Sequence, residues 1–297
     1  MNPLSDIEDF AHVPNDNPAW RESYYFNWVD LRRRISGFTT IGLLPNAEKR
    51  EFVFAIFYDD KRELFWNEPE GEIPTDFDES LSHDSLSFEL VEPMKEWNIG
   101  FRGNNLEIHM NWKQRFPPYD FGHGSGTSWS GHFEQSGIVE GVIQLPSGPV
   151  LAFKGYGERD KSWGVRDWHI ESWYAFHAQF DSISFGLRRD SVKGKSYSSG
   201  GISTKDSHTS IVEVDVETEY MDPSNKIPYG ATTTVYGEDG SKYTFKSKTL
   251  TSTSFVRFER EFPFGRTELF ENMAQHHCEE LDEEGTGLLE WLFTHKK

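Results

Sequence analysis

The feature that most constrains this chain is alternation with a period of two. In "LEIHMNW" Leu106, Ile108, Met110 and Trp112 fall on one face, and Glu107, His109 and Asn111 on the other. "IVEVDVE" repeats the pattern, with Val212, Val214 and Val216 opposed to Glu213, Asp215 and Glu217. Such strands have one face on a core and one in water, which is the mark of antiparallel pairing. "LPSGPV" (Leu145 to Val150), "GEDGSKYTF" (Gly237 to Phe245) and "GNN" (Gly103 to Asn105) supply the turn residues that hairpins require. The best helical candidate, "RTELFENMAQHHCEELDEE", reads equally as a strand leaving "TELFE", and the strand is preferred. The expected fold class is therefore all-β, as barrels or sandwiches.

A length of 297 residues is long for one such unit, so two stacked β-domains are expected. The seam is placed where "GYGERDKSWGVRDW" begins: a loosely held N-terminal arm over 1–17, one domain over 18–155 and a second over 156–297. "YYFNWVDLRRRISGF" (Tyr24 to Phe38) and "SWYAFHAQFDSISFGLRR" (Ser172 to Arg189) give a faint internal echo, both running from paired aromatics into a Ser/Gly/Phe cluster. Lys193 to Ser207, rich in Gly and Ser, reads as a mobile hairpin loop.

Charge and composition exclude several function classes. With 30 basic against 49 acidic residues the formal charge is -19, which repels a phosphate backbone, and the longest basic cluster is only Leu31 to Arg34. Nucleic acid is not an expected partner. No stretch approaches the roughly 18 to 20 apolar residues of a membrane span, and the N-terminus lacks the basic start and apolar run of a signal peptide. One cysteine, Cys278, forms no internal disulfide. A cytoplasmic setting is the expectation.

No phosphate-binding Gly-x-x-x-x-Gly-Lys, Gly-x-Ser-x-Gly elbow or His-Glu-x-x-His is present. His276 and His277 point to opposite faces of a strand, and His169 with Glu171 offers two metal ligands without a third. No metal and no cofactor are expected. Chemistry concentrates instead in "RDKSWGVRDW", where Arg159-Asp160 and Arg166-Asp167 recur around Ser162, Trp163 and Gly164. One reading has each Asp accept an Arg hydrogen bond and pin the domain seam. The other desolvates one carboxyl against aromatic rings and makes it a proton donor in an apolar pocket. Gly155, Gly157, Gly164, Gly285 and Gly287 stand beside tryptophans and read as places where backbones pass too closely for a Cβ, or as positions with φ > 0.

"GYGERDKSWGVRDW" resembles the Gly-x-Gly-x-Arg-Asp-His-Ser-Trp-Gly-x-Arg-x-Trp pattern of the lipocalin-like two-domain superfamily of AttH-type proteins and carotenoid 1,2-hydratases (hydroxyneurosporene synthases). Related members include fungal cyclases of the Diels-Alderase type. "WRESYYFNW", "GHFEQSGIVEGVI" and the terminal "EGTGLLEWLF" fit the same resemblance, which spans most of the chain. It implies two tandem lipocalin-like antiparallel β-barrel domains holding an apolar ligand. Lys161 stands where the family pattern usually has His.

The expected activity is a cofactor-independent hydratase, isomerase or cyclase acting on an apolar, unsaturated, isoprenoid-like or polyketide-like molecule. Protonating an alkene needs a carboxylic acid held away from water, and the resulting cation needs electron-rich faces. Asp160 is the first choice of acid and Asp167 the second. Tyr156, Trp163, Trp168 and Trp173 are the candidate pocket walls. Arg159, Arg166, Lys161 and Ser162 are assigned orienting or structural roles, although an Arg paired to the acid would oppose proton release. The competing class is a non-catalytic carrier of a lipid, steroid or polyene, and a third is an accessory protein whose Trp-rich seam is only core.

Overall fold

A computed structural model describes residues 4–103, 105–122, 129–145, 148–166, 168, 170–221 and 226–297. Strands carry almost all of the regular structure, and the helical elements among these residues are short: two 3-10 turns (Asp6–Asp9 and Pro45–Ala47) and one α-turn (Phe77–Ser80). None is long and apolar enough to cross a membrane.

The first compact unit runs through Arg166. Its strands are β1 (Trp20–Asp30), β2 (Ile35–Leu44), β3 (Lys49–Tyr58), β4 (Lys61–Asn67), β5 (Ser82–His83), β6 (Leu86–Glu92), β7 (Glu96–Gly103), β8 (Leu106–Gln114), β9 (Tyr119–Asp120), β10 (Gly131–Gln144) and β11 (Val150–Val165). They form one curled antiparallel sheet in the order β4-β3-β2-β1-β11-β10-β8-β7-β6-β5, with β9 beside β10. The core-facing side of this sheet is aromatic. Trp28, Trp97 and Trp112 are fully buried, and the rings of Phe54 and Phe101 stack at 4.3 Å. The alternation in Leu106 to Trp112 is realised as expected, with all four apolar residues buried.

The second unit continues to Lys297. It contains β12 (Ser172–Gln179), β13 (Ile183–Val192), β14 (Lys195–Thr204), β15 (His208–Tyr220), β16 (Pro228–Gly237), β17 (Lys242–Thr249), β18 (Phe255–Phe262), β19 (Gly265–Cys278) and β20 (Glu283–Lys296). Pairing of β17 with β19 closes eight of these strands into a barrel, and β18 lies outside against β19. Tyr174, Phe176, Phe245 and Trp291 fill the interior. The two tandem β-units thus differ: the second is a closed barrel, the first a curled sheet that does not close among the described residues.

Both units place their first strand between their second and last. β1 pairs with β2 and β11, and β12 pairs with β13 and β20. The echo between Tyr24 to Phe38 and Ser172 to Arg189 falls on these two opening hairpins. The glycines of the last strands answer it. A Cβ on Gly155 would lie 1.9 Å from the Val29 carbonyl oxygen, and one on Gly287 would lie 1.9 Å from that of His177. In each unit a glycine on the last strand lets a carbonyl of the first come close.

Four local expectations need correction or completion. Val212 is 58 % exposed rather than facing the core, because a register shift between Ile211 and Glu213 makes it the extra residue of a bulge. Lys193 to Ser207 is no loop: β14 pairs with β13 along its length and buries Gly200 to Ser203. Residue 155 lies inside β11, which continues without a break to Val165. The N-terminal arm is tied to the sheet through Asp9, which is fully buried.

Candidate functional site

Strand β11 carries the sequence motif, and its extended backbone sends successive side chains to opposite faces. Arg159, Lys161 and Trp163 point to the core-facing side. Tyr156, Glu158, Asp160 and Ser162 point to the other. The motif is thereby divided into two sites of different character.

On the core-facing side lies a buried ionic cluster covered by the N-terminal arm. Arg159 forms an ion pair with Asp9, donates from Nε to Gln135 Oε1 at 2.8 Å, and lies over the rings of Phe133 and Trp112 at 5.0 and 5.3 Å. Lys161 forms an ion pair with Glu22, and its Nζ stands 4.5 Å from the Tyr24 ring centroid. His12 closes the cluster. Its ring stacks on Trp163 at 3.9 Å, and its nitrogens meet Glu22 at 2.9 Å and Glu8 at 3.0 Å. Burial pushes the Lys161 ammonium below its ordinary pKa, partly offset by Glu22. Burial and the Glu22 and Asp9 charges raise the Tyr24 hydroxyl well above its own. Every charge here is paired, as buried charges require.

On the opposite face, Asp160 faces Glu134 of β10 and Tyr25 of β1 across the sheet. His132 sits two residues before Glu134 and so shares its face. The Nε2 of His132 lies 2.9 Å from Asp160 Oδ2 and 3.6 Å from Glu134 Oε1. His132 is 3 % exposed, Glu134 11 % and Asp160 27 %, a gradient from a sheltered imidazole to a partly exposed aspartate whose Oδ1 is itself buried. The rings of Trp129 and Phe121 lie 4.4 and 4.5 Å from the His132 ring. Next along the strand, Glu158 accepts a hydrogen bond from Asn27 Nδ2 at 2.8 Å, and Arg166 donates to Ser162 Oγ at 3.2 Å.

Strand alternation also decides which sequence-derived residues meet. Arg159 and Asp160 are neighbours in sequence but turn to opposite faces, so the arginine pairs with Asp9. Tyr156, under the Arg115 guanidinium at 4.0 Å, and Trp163 are separated by the sheet. Trp168 and Trp173 belong to the second unit, where their rings lie 6.0 Å apart; Trp173 donates to Glu290 and has the Arg188 guanidinium over its face at 4.1 Å. The four rings therefore do not line one pocket within either unit. Asp167 and His169 lie outside the described residues. Sequence reasoning missed His132 and Glu134, although "HFE" on a strand puts a histidine and a carboxylate on one face.

The family model described as "Domain of unknown function (DUF7064)" matches residues 5–294. The chain belongs to that family. Among solved structures, this DUF7064 protein is similar to a protein assigned as AttH from Nitrosomonas europaea, with a TM-score of 0.71 and 12 % identity over 98 % of this chain and 96 % of that one. It is also similar to CghA, with a TM-score of 0.62 and 10 % identity over 97 % and 93 % of the two chains. A structure of CghA with Sch210972 gives 0.64, at 10 % identity over 97 % and 94 %. The DUF7064 chain thus has the AttH-like, lipocalin-like β fold that its motif resembles. Comparison with curated proteins returns no match.

Proposed function

We propose that this protein is an acid–base catalyst of hydration, isomerisation or cyclisation on an apolar unsaturated small molecule, with Asp160 as proton donor and His132 as its partner. The observation that carries this reading is the separation of Asp160 from Arg159. Contact with Arg159 would hold the carboxyl ionised and oppose proton release. Asp160 instead meets the His132 imidazole at 2.9 Å, a group with the geometry to relay a proton to and from the carboxyl.

The chemistry closes on itself. The Asp160 carboxyl gives its proton to one alkene carbon and a carbocation forms at the other. Aromatic faces of Tyr25, Trp129 and Phe121 suit such a cation because their electron-rich rings attract it without reacting. In hydration, water adds to the cation and its surplus proton leaves to His132, which restores Asp160. In isomerisation or cyclisation a carbon-bound proton passes to His132 instead and is returned to Asp160 in the same way. The structure of CghA with Sch210972, in the same fold, supports a small-molecule ligand for this chain.

Asp160→Asn keeps the shape and the contact with His132 but delivers no proton. Against a panel of terpenoids and polyenes the variant is expected to fold, to bind the wild-type ligand and to lose turnover by about a hundredfold or more. Full turnover in the variant would remove Asp160 from the mechanism. A wild-type protein that converts nothing in the panel and releases a co-purified apolar molecule unchanged would be a carrier.

A further inference from the structure

We propose that His132, Glu134 and Asp160 form a binding site for a divalent first-row transition ion, with zinc as the ion of choice. One atom from each of the three side chains lies within 4.8 Å of the other two. Zinc holds nitrogen and carboxylate oxygen at about 2.0 to 2.2 Å, so tetrahedral ligand atoms stand roughly 3.3 Å apart. The separations of 2.9 Å (His132 to Asp160) and 3.6 Å (His132 to Glu134) bracket that value. Small side-chain rotations bring all three atoms onto one ion without moving either strand.

The backbone makes the constellation firm. His132 and Glu134 alternate on β10, and Asp160 is the direct partner of Glu134 on β11. Three ligands on two hydrogen-bonded strands are held more rigidly than ligands on a loop. His132 is buried, and its Nδ1 has no hydrogen-bond partner among the described residues, none of which ties the ring to one tautomer through that nitrogen. The proton can rest on Nδ1 while the Nε2 lone pair faces the carboxylates. One imidazole with two carboxylates is a donor set that suits zinc, iron(II) or manganese(II) over copper(I) or magnesium. Three protein ligands leave a tetrahedral zinc ion one further position for water.

This inference goes beyond the acid–base reading, since it needs neither a substrate nor turnover. The two are linked at one oxygen: ion and transferable proton compete for Asp160. Zinc is thus an inhibitor of proton delivery, and its affinity falls as pH falls, because the ion binds only deprotonated ligands.

The test is zinc titration of the full-length apoprotein by calorimetry at pH 7.5 and 6.0, with cobalt(II) absorption as a second readout. One zinc per chain with micromolar or tighter affinity is expected, weaker at the lower pH. Glu134→Gln and His132→Asn should each weaken it at least tenfold, whereas His277→Asn, on β19, should not. Glu134→Gln is the safer variant for folding, and wild-type melting behaviour shows that a loss of affinity is local. Absence of zinc binding at 100 μM, or binding that neither site variant weakens, overturns the proposal. The acid–base reading fails differently: zinc binding with turnover that a chelator abolishes would sink proton donation by Asp160 and leave the ion site standing.

Discussion

Asp9→Asn isolates the N-terminal arm's hold on the first unit. Asp9 is completely buried and forms the ion pair with Arg159, which is itself 2 % exposed at its side chain. Removing one partner of such a pair leaves a charge in the interior, a change that costs about 3 to 5 kcal/mol. Gln135 and the Met94 sulfur, 3.2 Å from the guanidinium, remain as partners, and Asn still offers a carbonyl oxygen. The lower end, about 3 kcal/mol, is therefore expected. For a unit of this size that corresponds to a melting temperature lower by about 6 to 12 °C. Urea unfolding followed by tryptophan fluorescence, with exposed Asp6→Asn as a control, measures it. A double variant, Asp9→Leu with Arg159→Met, should recover part of the loss, because apolar replacement of both partners removes the stranded charge while the Met94 N–H loses Asp9 as its acceptor. A loss below about 1 kcal/mol in Asp9→Asn, equal to that of Asp6→Asn, would refute the anchoring role.

Gly155→Ala and Gly287→Ala should each destabilise by about 2 to 3 kcal/mol or more, because the new methyl meets a backbone carbonyl at 1.9 Å and not a movable side chain; unchanged denaturation midpoints would contradict the packing. His276 is buried inside the barrel, its Nδ1 2.8 Å from Ser247 Oγ, and burial lowers its pKa to about 3. The unfolded chain binds a proton below about pH 6.5 that the folded barrel refuses. Stability contributed by the neutral ring is thus full above pH 6.5 and falls progressively as pH drops toward 3, by several kcal/mol in total. His276→Gln should flatten the difference in unfolding free energy between pH 7 and pH 4, and an unaltered pH slope would show that another group is responsible.

Much of the fold was legible because its causes are local. Alternation in Leu106 to Trp112 and turn residues at Gly237 to Gly240 act within a few residues, and both are realised. The glycines of β11 and β20 were recognisable as close-approach positions, since a paired Gly-x-Gly beside aromatics has few other uses. Val212 was not legible: a bulge moves one residue out of register without changing the alternation written in the sequence. Lys193 to Ser207 misled for a related reason, because its small residues fit closely between neighbouring strands where a flexible loop was expected.

The site was half legible for a different physical reason. Asp160 stood out through the motif, but its partners are chosen by strand register and not by sequence distance. The Arg159-Asp160 doublet suggested a pair, whereas a β-strand cannot turn adjacent residues to one face. Arg159 therefore meets Asp9, 150 positions away, and Asp160 meets His132 across a hairpin. Lys161, where the pattern that the motif resembles has histidine, is occupied by Glu22 on the core-facing side and is turned away from Asp160. The available signal was "GHFEQ" before a long hairpin, which places His132 and Glu134 on one face and, once the register is known, beside Asp160.

The measurement that bears most directly on Asp160 as a proton donor is turnover in deuterium oxide, with mass spectrometry of the product from wild type and Asp160→Asn. A proton delivered from the carboxyl originates in solvent, so the wild-type product should carry at least one carbon-bound deuterium that survives return to ordinary water. The variant should form almost none of that product. Product with no carbon-bound deuterium, or labelled product formed equally fast by Asp160→Asn, would contradict acid catalysis at this face.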